Sequence, residues 1–156
     1  MRQSAVTFKA DGLHFEGVVA QPEEHANLMP GVVVCHPHPL YGGNMDSNVV
    51  LAVAFALAEQ GFATLRFNFR GAGGSEGRHG KGEVEQQEVL GALELMKDWP
   101  GADERRLGVA GYSFGASVVL GSPALHRKAR AFALISPPLR ALESTELRTN
   151  NHPTLV

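Results

Sequence analysis

The chain has 156 residues, of which 44% are hydrophobic and 19% are charged, a composition typical of a single soluble globular domain. Its net charge of −2 gives no reason to expect nucleic acid or an anionic membrane surface as a partner. The sequence has no apolar run long enough to predict a membrane span or a secretion signal. Its one cysteine, Cys35, cannot form an internal disulfide, so we expect a cytoplasmic protein.

The chain begins with a predicted β-hairpin, whose strands Ala5–Lys9 and Leu13–Ala20 flank an Asp11-Gly12 turn. A polar loop with two prolines follows. Residues 31–36 are then a short β-branched run without polar alternation, which is typical of a central strand buried on both faces.

A helix is predicted from Asp46, as its N-cap, through Gln60. Its buried stripe is expected at four apolar positions: Val49, Val53, Ala56 and Leu57. Residues 62–69 predict the next strand, and the glycine-rich stretch 70–82 predicts a long, flexible loop.

A second helix is predicted over Glu83–Trp99, with Val89, Leu93 and Met96 on its inner face. Its acidic start, Glu83–Glu88, suits the helix dipole and is expected to be solvated. The remaining elements are predicted as a strand, a helix, a strand and the start of a last strand: Arg106–Ala110, Phe114–Leu120, Ala131–Ser136 and 154–156. This alternation predicts an α/β fold, with a mostly parallel sheet, helices on both faces and the antiparallel hairpin at one edge.

The glycine-rich loop fits neither common nucleotide-binding motif. The third glycine of the dinucleotide fingerprint is replaced by Glu76, and the Ser/Thr that ends a P-loop is replaced by Gly82. We therefore expect no nucleotide cofactor, and no other cofactor is indicated.

The stretch Gly111-Tyr112-Ser113-Phe114-Gly115 fits G-x-S-x-G and lies between a predicted strand and a predicted helix. A sharp strand-to-helix turn exposes a nucleophilic hydroxyl, and side chains at both glycine positions would collide across that turn. The turn also aims the Phe114 N–H at developing negative charge. We interpret Ser113 as a nucleophile; the alternative is a serine in a tight turn.

A second amide donor is expected in the loop after the first central strand. Among residues 37–39 only His38 has a backbone N–H, because prolines lie on both sides of it. We predict an oxyanion hole formed by the amides of His38 and Phe114. A merely rigid turn is the alternative, and metal ligation by His36 and His38 lacks a clear third ligand, so no metal site is predicted.

Three motifs in order, "HPHPLYGGNMDS", "LRFNFRGAGGSEG" and "GYSFGAS", resemble the α/β-hydrolase superfamily, and more narrowly small bacterial hydrolases related to dienelactone hydrolases. The resemblance extends from about Gly31 to the C-terminus. It implies an α/β-hydrolase fold, a Ser-His-acid mechanism and small ester or lactone substrates. It also implies a structural role for Arg70. Tyr41 and Tyr112 are candidates to line the acyl site, and a packing role is the alternative for each.

The triad order of this fold is serine, acid, histidine, and the resemblance puts the last two beyond Val156. The other histidines (14, 25, 79, 126 and 152) are expected at the surface, and Cys35 is expected to be an inert packing residue. Residues 1–156 are therefore interpreted as one truncated domain. Alternatives are completion by a partner chain, which leaves a homo-oligomer open, and a non-catalytic binding or scaffold module.

Overall fold

A computed structural model of the protein describes residues 1–149 and 151–156. In it, strands form one seven-stranded sheet in the order β1-β2-β4-β3-β5-β6-β7. Their bounds are β1 Arg2–Ala10, β2 Leu13–Gln21, β3 Met29–Cys35, β4 Ala63–Phe67, β5 Ala102–Tyr112, β6 Ala131–Ile135 and β7 Thr154–Leu155. The pairs that involve β1 and β2 are antiparallel, and all the others are parallel. The predicted α/β sheet with an antiparallel edge is confirmed.

Five α-helices connect or follow these strands in the described part of the chain. Their bounds are α1 Asn48–Glu59, α2 Glu85–Lys97, α3 Phe114–Leu120, α4 Pro123–Lys128 and α5 Leu139–Ser144. Among the described residues, no helix combines the length and the apolar character that a membrane crossing requires.

The hairpin closes through the predicted Asp11-Gly12 turn. Both residues have positive φ angles, 51° and 73°, as a type I′ turn requires. Pairing runs from Ala10↔Leu13 at the turn to Arg2↔Gln21 at the far end, so the hairpin is longer than predicted.

Helix α1 corrects two predictions. Its N-cap is Ser47 rather than Asp46, whose carboxylate lies 3.4 Å from Arg66 instead. Its buried residues are Val50, Ala54 and Ala58, spaced by four, and not the predicted stripe. Small alanines at this spacing allow close approach to the sheet, so the larger apolar residues lie on the flank of the helix.

Alternate residues of the central strands separate the core into two parts. One large cluster lies on the face that carries α2 and α3 and contains Val33, Leu65 and Val109. A small cluster lies on the face that carries α1 and contains Val34 and Ala110. The predicted inner face of α2 is confirmed, since Val89, Leu93 and Met96 are all buried.

Candidate active site

Four loops meet at one edge of the sheet. Strands β3, β4, β5 and β6 are parallel, so the segments that follow them begin at the same side. These segments start with His36, Asn68, Ser113 and Ser136. In open α/β sheets, ligands bind at this carboxyl edge. The sheet therefore places the predicted site loops, which contain His38 and Ser113, on the same side.

Ser113 occupies a sharp turn between β5 and α3. Its backbone has φ +53° and ψ −108°, a left-handed region that costs a non-glycine residue about 1–3 kcal/mol. The Ser113 N–H donates to the Ile135 carbonyl at 2.9 Å, which ties the turn to the end of β6. The predicted strand-turn-helix context of the serine is confirmed.

The two glycines of the motif are needed for different reasons. A Cβ at Gly111 would lie 2.7 Å from the backbone of Ala116, across the turn. A Cβ at Gly115 would lie 2.5 Å from the Cys35 carbonyl oxygen, at the end of the neighbouring strand β3. The predicted collision across the turn is therefore correct for Gly111, whereas Gly115 permits close contact between α3 and β3.

The His38 backbone belongs to a tight turn after β3. Its carbonyl accepts from the Tyr41 and Gly43 amides, at 3.1 and 3.0 Å. Its Nδ1 accepts from the Leu40 amide at 3.2 Å. Within residues 1–149 and 151–156, no group accepts a hydrogen bond from the amide of His38 or of Phe114. The His38 and Phe114 rings lie 5.0 Å apart between centroids, so these two residues are neighbours.

His36 is a buried structural residue. Its Nε2 accepts from the Phe69 amide at 3.0 Å, and its Nδ1 lies 2.6 Å from the Pro37 carbonyl, which requires the proton on Nδ1. Burial lowers the pKa of His36 to about 4. Both ring nitrogens are occupied, which argues against the metal alternative for His36 and His38.

The start of α2 overturns the expectation of a solvated acidic turn. Glu83 is exposed, but Glu85 and Glu88 are fully buried. Glu88 forms an ion pair with Arg70 and also accepts from the Arg70 amide at 2.9 Å. Glu85 accepts from the amides of Gly80 and Gly82. Two carboxylates thus anchor the glycine-rich loop at Arg70, Gly80 and Gly82, and Arg70 has its expected structural role.

The expectation of surface histidines holds for His14 and His25 and fails for His79 and His126. The His79 side chain is 8% exposed, and its ring lies against those of His38 and Phe114. His126 is buried, with Nε2 2.8 Å from the Val119 carbonyl. The ring of His152 lies 6.0 Å from that of Phe132. Sequence reasoning missed His79 because its burial depends on the rings of His38 and Phe114, which are distant in sequence.

Cys35, Tyr41 and Tyr112 are the other residues near Ser113 and His38 that the sequence analysis singled out. Cys35 is buried, and burial together with the nearby Glu88 carboxylate raises the pKa of its thiol, which suits the expected inert role. Tyr41 is largely exposed, with its ring 4.7 Å from that of His38. Tyr112 is half-buried at the end of β5, next to Ser113.

The sequence and fold match known proteins. A family model described as "Serine aminopeptidase, S33" matches residues 30–151. The chain belongs to this family of α/β hydrolases. This confirms the resemblance at the superfamily level, while the closer relation to dienelactone hydrolases stays a prediction.

Individual proteins and solved structures are also similar to the chain. The chain is 37% identical to the uncharacterised protein RP471 of Rickettsia prowazekii over 72% of its length, but spans only 47% of that protein. An α/β serine hydrolase homologue from Coxiella burnetii matches with 31% identity and a TM-score of 0.78, over 92% of this chain and 68% of that one. XC6422 from Xanthomonas campestris, a serine hydrolase without a lid, matches with 28% identity and a TM-score of 0.78, over 100% of this chain and 83% of that one.

Proposed function

We propose that the chain carries the nucleophile and oxyanion hole of a serine hydrolase that acts on small carboxylic esters or lactones. The observation that supports this most directly is the left-handed backbone of Ser113 between β5 and α3. Strained backbone conformations cluster at active sites, and this one presents a hydroxyl at the carboxyl edge of the sheet.

In the proposed reaction, the Ser113 hydroxyl attacks the substrate carbonyl carbon while a histidine accepts its proton. The carbonyl oxygen becomes an oxyanion, which receives hydrogen bonds from the amides of His38 and Phe114. Each such donor contributes about 3 kcal/mol to stabilisation of the transition state. The alcohol leaves with the proton from the histidine, and water then releases the acid from Ser113.

The histidine and acid of this triad are proposed to lie in polypeptide outside the 156 residues. His36 uses both ring nitrogens on backbone groups, His126 uses its Nε2 on one, and Nδ1 of His79 faces Glu85. The relatives are longer than this chain, which agrees with additional catalytic residues elsewhere. Tyr41 and Tyr112 are proposed to line an open acyl site, comparable to that of a lidless hydrolase.

A fluorophosphonate probe tests the proposal, because it reacts with activated serines. Because the general base is proposed to lie outside these residues, we expect slow labelling of the chain at Ser113, supported by the oxyanion-hole amides alone. It should be located by mass spectrometry and abolished in Ser113→Ala. Ser136→Ala is the matched control, since Ser136 directly follows the neighbouring strand β6 and also has a positive φ, 47°. It should label like the wild type.

Absence of labelling would contradict an activated nucleophile in this chain and favour the non-catalytic binding or scaffold alternative. Labelling that rises with protein concentration would instead indicate that a second copy completes the site. Sedimentation at the same concentrations would then show the oligomer. We place the reaction in the cytoplasm, on small-molecule substrates.

A further inference from the structure

Three rings meet beside the proposed oxyanion hole: those of His38, His79 and Phe114. We propose that His79 is a positioning residue that holds His38 and Phe114, and therefore their two amides, in place. The inference rests on the proposed function, because it concerns the two residues assigned there as oxyanion donors. His79 precedes the nucleophile in sequence and belongs to the loop between β4 and α2.

The contacts of His79 carry the argument. Its ring centroid lies 4.5 Å from that of His38 and 5.0 Å from that of Phe114. These two rings are themselves 5.0 Å apart, so the three form a closed triangle. Ring pairs at such separations stabilise each other beyond the effect of the area they bury.

The backbone of His38 gives this ring contact its importance. Proline residues flank His38, and the turn uses its carbonyl but not its amide. Among the described residues the His38 amide has no acceptor to fix its direction. The position of this amide therefore depends on the turn and on the packing of the His38 side chain, of which His79 forms one wall.

The Glu85 carboxylate holds the loop that contains His79. The carboxylate is fully buried and accepts from the amides of Gly80 and Gly82 at 2.5 and 2.8 Å, which secures the loop immediately after His79. It also lies 3.5 Å from His79 Nδ1, a buried atom without a hydrogen-bond partner in the described chain. With a proton on Nδ1, the carboxylate attracts that edge of the ring, while the ring packs at a tilt on those of His38 and Phe114.

The electrostatics of His38 agree with this arrangement. Burial lowers the pKa of His38, the neighbouring His79 lowers it further, and Glu85 acts in the opposite direction. A neutral His38 ring packs on its neighbours without a charge to hydrate.

The test combines labelling kinetics with NMR, on the full chain. Wild type, His79→Ala, His79→Phe and His25→Ala are treated with a fluorophosphonate at several concentrations, which separates probe affinity from the maximal rate. We expect His79→Ala to lower the maximal rate about 10- to 100-fold, as misplaced catalytic groups do, with unchanged probe affinity. His79→Phe should stay within roughly threefold of wild type because it keeps the ring contacts. His25→Ala, at an exposed histidine, should match wild type.

The second measurement is the ¹H–¹⁵N heteronuclear NOE of the His38 and Phe114 amides. In His79→Ala we expect it to fall at both residues, and in His79→Phe to stay at the wild-type value. If His79→Ala does not fold, His79→Gln replaces it, and the same losses are expected because the ring is absent.

The outcomes separate the two proposals. If the wild type labels and His79→Ala labels at the same maximal rate, the positioning role is wrong and the proposed function stands. If the wild type does not label, the proposed function is wrong, and the NOE alone decides the positioning role. Equal NOE values in wild type and His79→Ala would overturn it.

Discussion

The two faces of the sheet are built from the same strands but are covered very differently. On one face, which we call the closed face, α2 and α3 pack on a continuous core that includes Val33 and Leu65. Of the helices in the described ranges, α1 alone contributes to the cluster on the other face, the open face. Beside α1 lies an apolar groove of about 430 Å³, lined in part by Val53, Leu57, Ala110, Ala133 and Leu155.

The difference shows which part of the molecule supports the site. Helix α3, which begins directly after Ser113, belongs to the closed face, as do Glu85 and Glu88 at the start of α2. The rigid surroundings of the nucleophile therefore come from one side of the sheet. Substitutions on the closed face should disturb stability and site together, whereas those on the open face should do so weakly.

The largest difference in the free energy of unfolding is expected between variants that each break one ion pair. Glu88→Ala removes the fully buried partner of Arg70 and should lower the free energy of unfolding by about 3–5 kcal/mol. The buried guanidinium is then left with the more exposed Asp11 carboxylate, 3.7 Å away. Asp46→Ala removes the partner of Arg66 near α1, where the aspartate side chain is 61% exposed, and should cost at most about 1 kcal/mol. Urea unfolding of both variants measures the contrast, and equal losses would contradict it.

The same substitution, leucine to alanine, can be made on each face of the sheet, and the two losses of stability can be compared. Leu65→Ala on the closed face should lower the free energy of unfolding by about 2–5 kcal/mol, since Leu65 is fully buried and its removal leaves a cavity. Leu57→Ala beside the groove should cost much less, because Leu57 is already partly exposed. Both are read from urea midpoints at constant m-value. A larger loss for Leu57→Ala would show that the open face is covered in solution.

The smallest effect is expected from pH. The pKa of His36 is about 4 in the folded state and 6.5 in the unfolded state, so its contribution is present above pH 6.5 and is lost as the pH falls through 4. This difference corresponds to at most about 3 kcal/mol. Stability should therefore fall more steeply between pH 6.5 and 4 in wild type than in His36→Gln, which does not titrate.

Titration of Glu88 does not affect the comparison of wild type with His36→Gln. Glu88 acts in the opposite direction, because burial raises its pKa to about 7 and its contribution is lost as the pH rises through that value. Both proteins contain Glu88, so its effect cancels. Parallel stability curves for wild type and His36→Gln would contradict the assignment of His36 as a buried neutral group.

The fold was largely predictable from sequence because strand signals and turn residues are local. The β-branched run of β3, the Asp11-Gly12 turn and the strand-to-helix context of Ser113 all follow from adjacent residues. The bounds of α3 agree with the prediction, and those of α2 differ by two residues at each end. The predicted buried stripe of α1 was wrong because one apolar side of the helix faces the groove. The sequence of a helix that is apolar on several sides does not indicate which side packs on the sheet.

The buried polar groups were not predictable for a different reason. Glu85 and Glu88 have the spacing of an ordinary acidic helix start, and their burial depends on Arg70 and on the amides of Gly80 and Gly82. His79 lies between His38 and Phe114, which are distant from it in sequence. A pattern of adjacent residues contains no information about partners as distant as Arg70 from Glu88, or His38 and Phe114 from His79.

The way the loop after β4 is held has a consequence for the order of folding. The Phe69 amide donates to His36, and the Arg70 amide donates to Glu88, so consecutive main-chain groups are held by side chains from two other elements. Such bonds cannot form until β3, β4 and α2 have docked. The loop should therefore acquire its native conformation late, and the amide protons of Phe69 and Arg70 should exchange with solvent only when the whole domain opens.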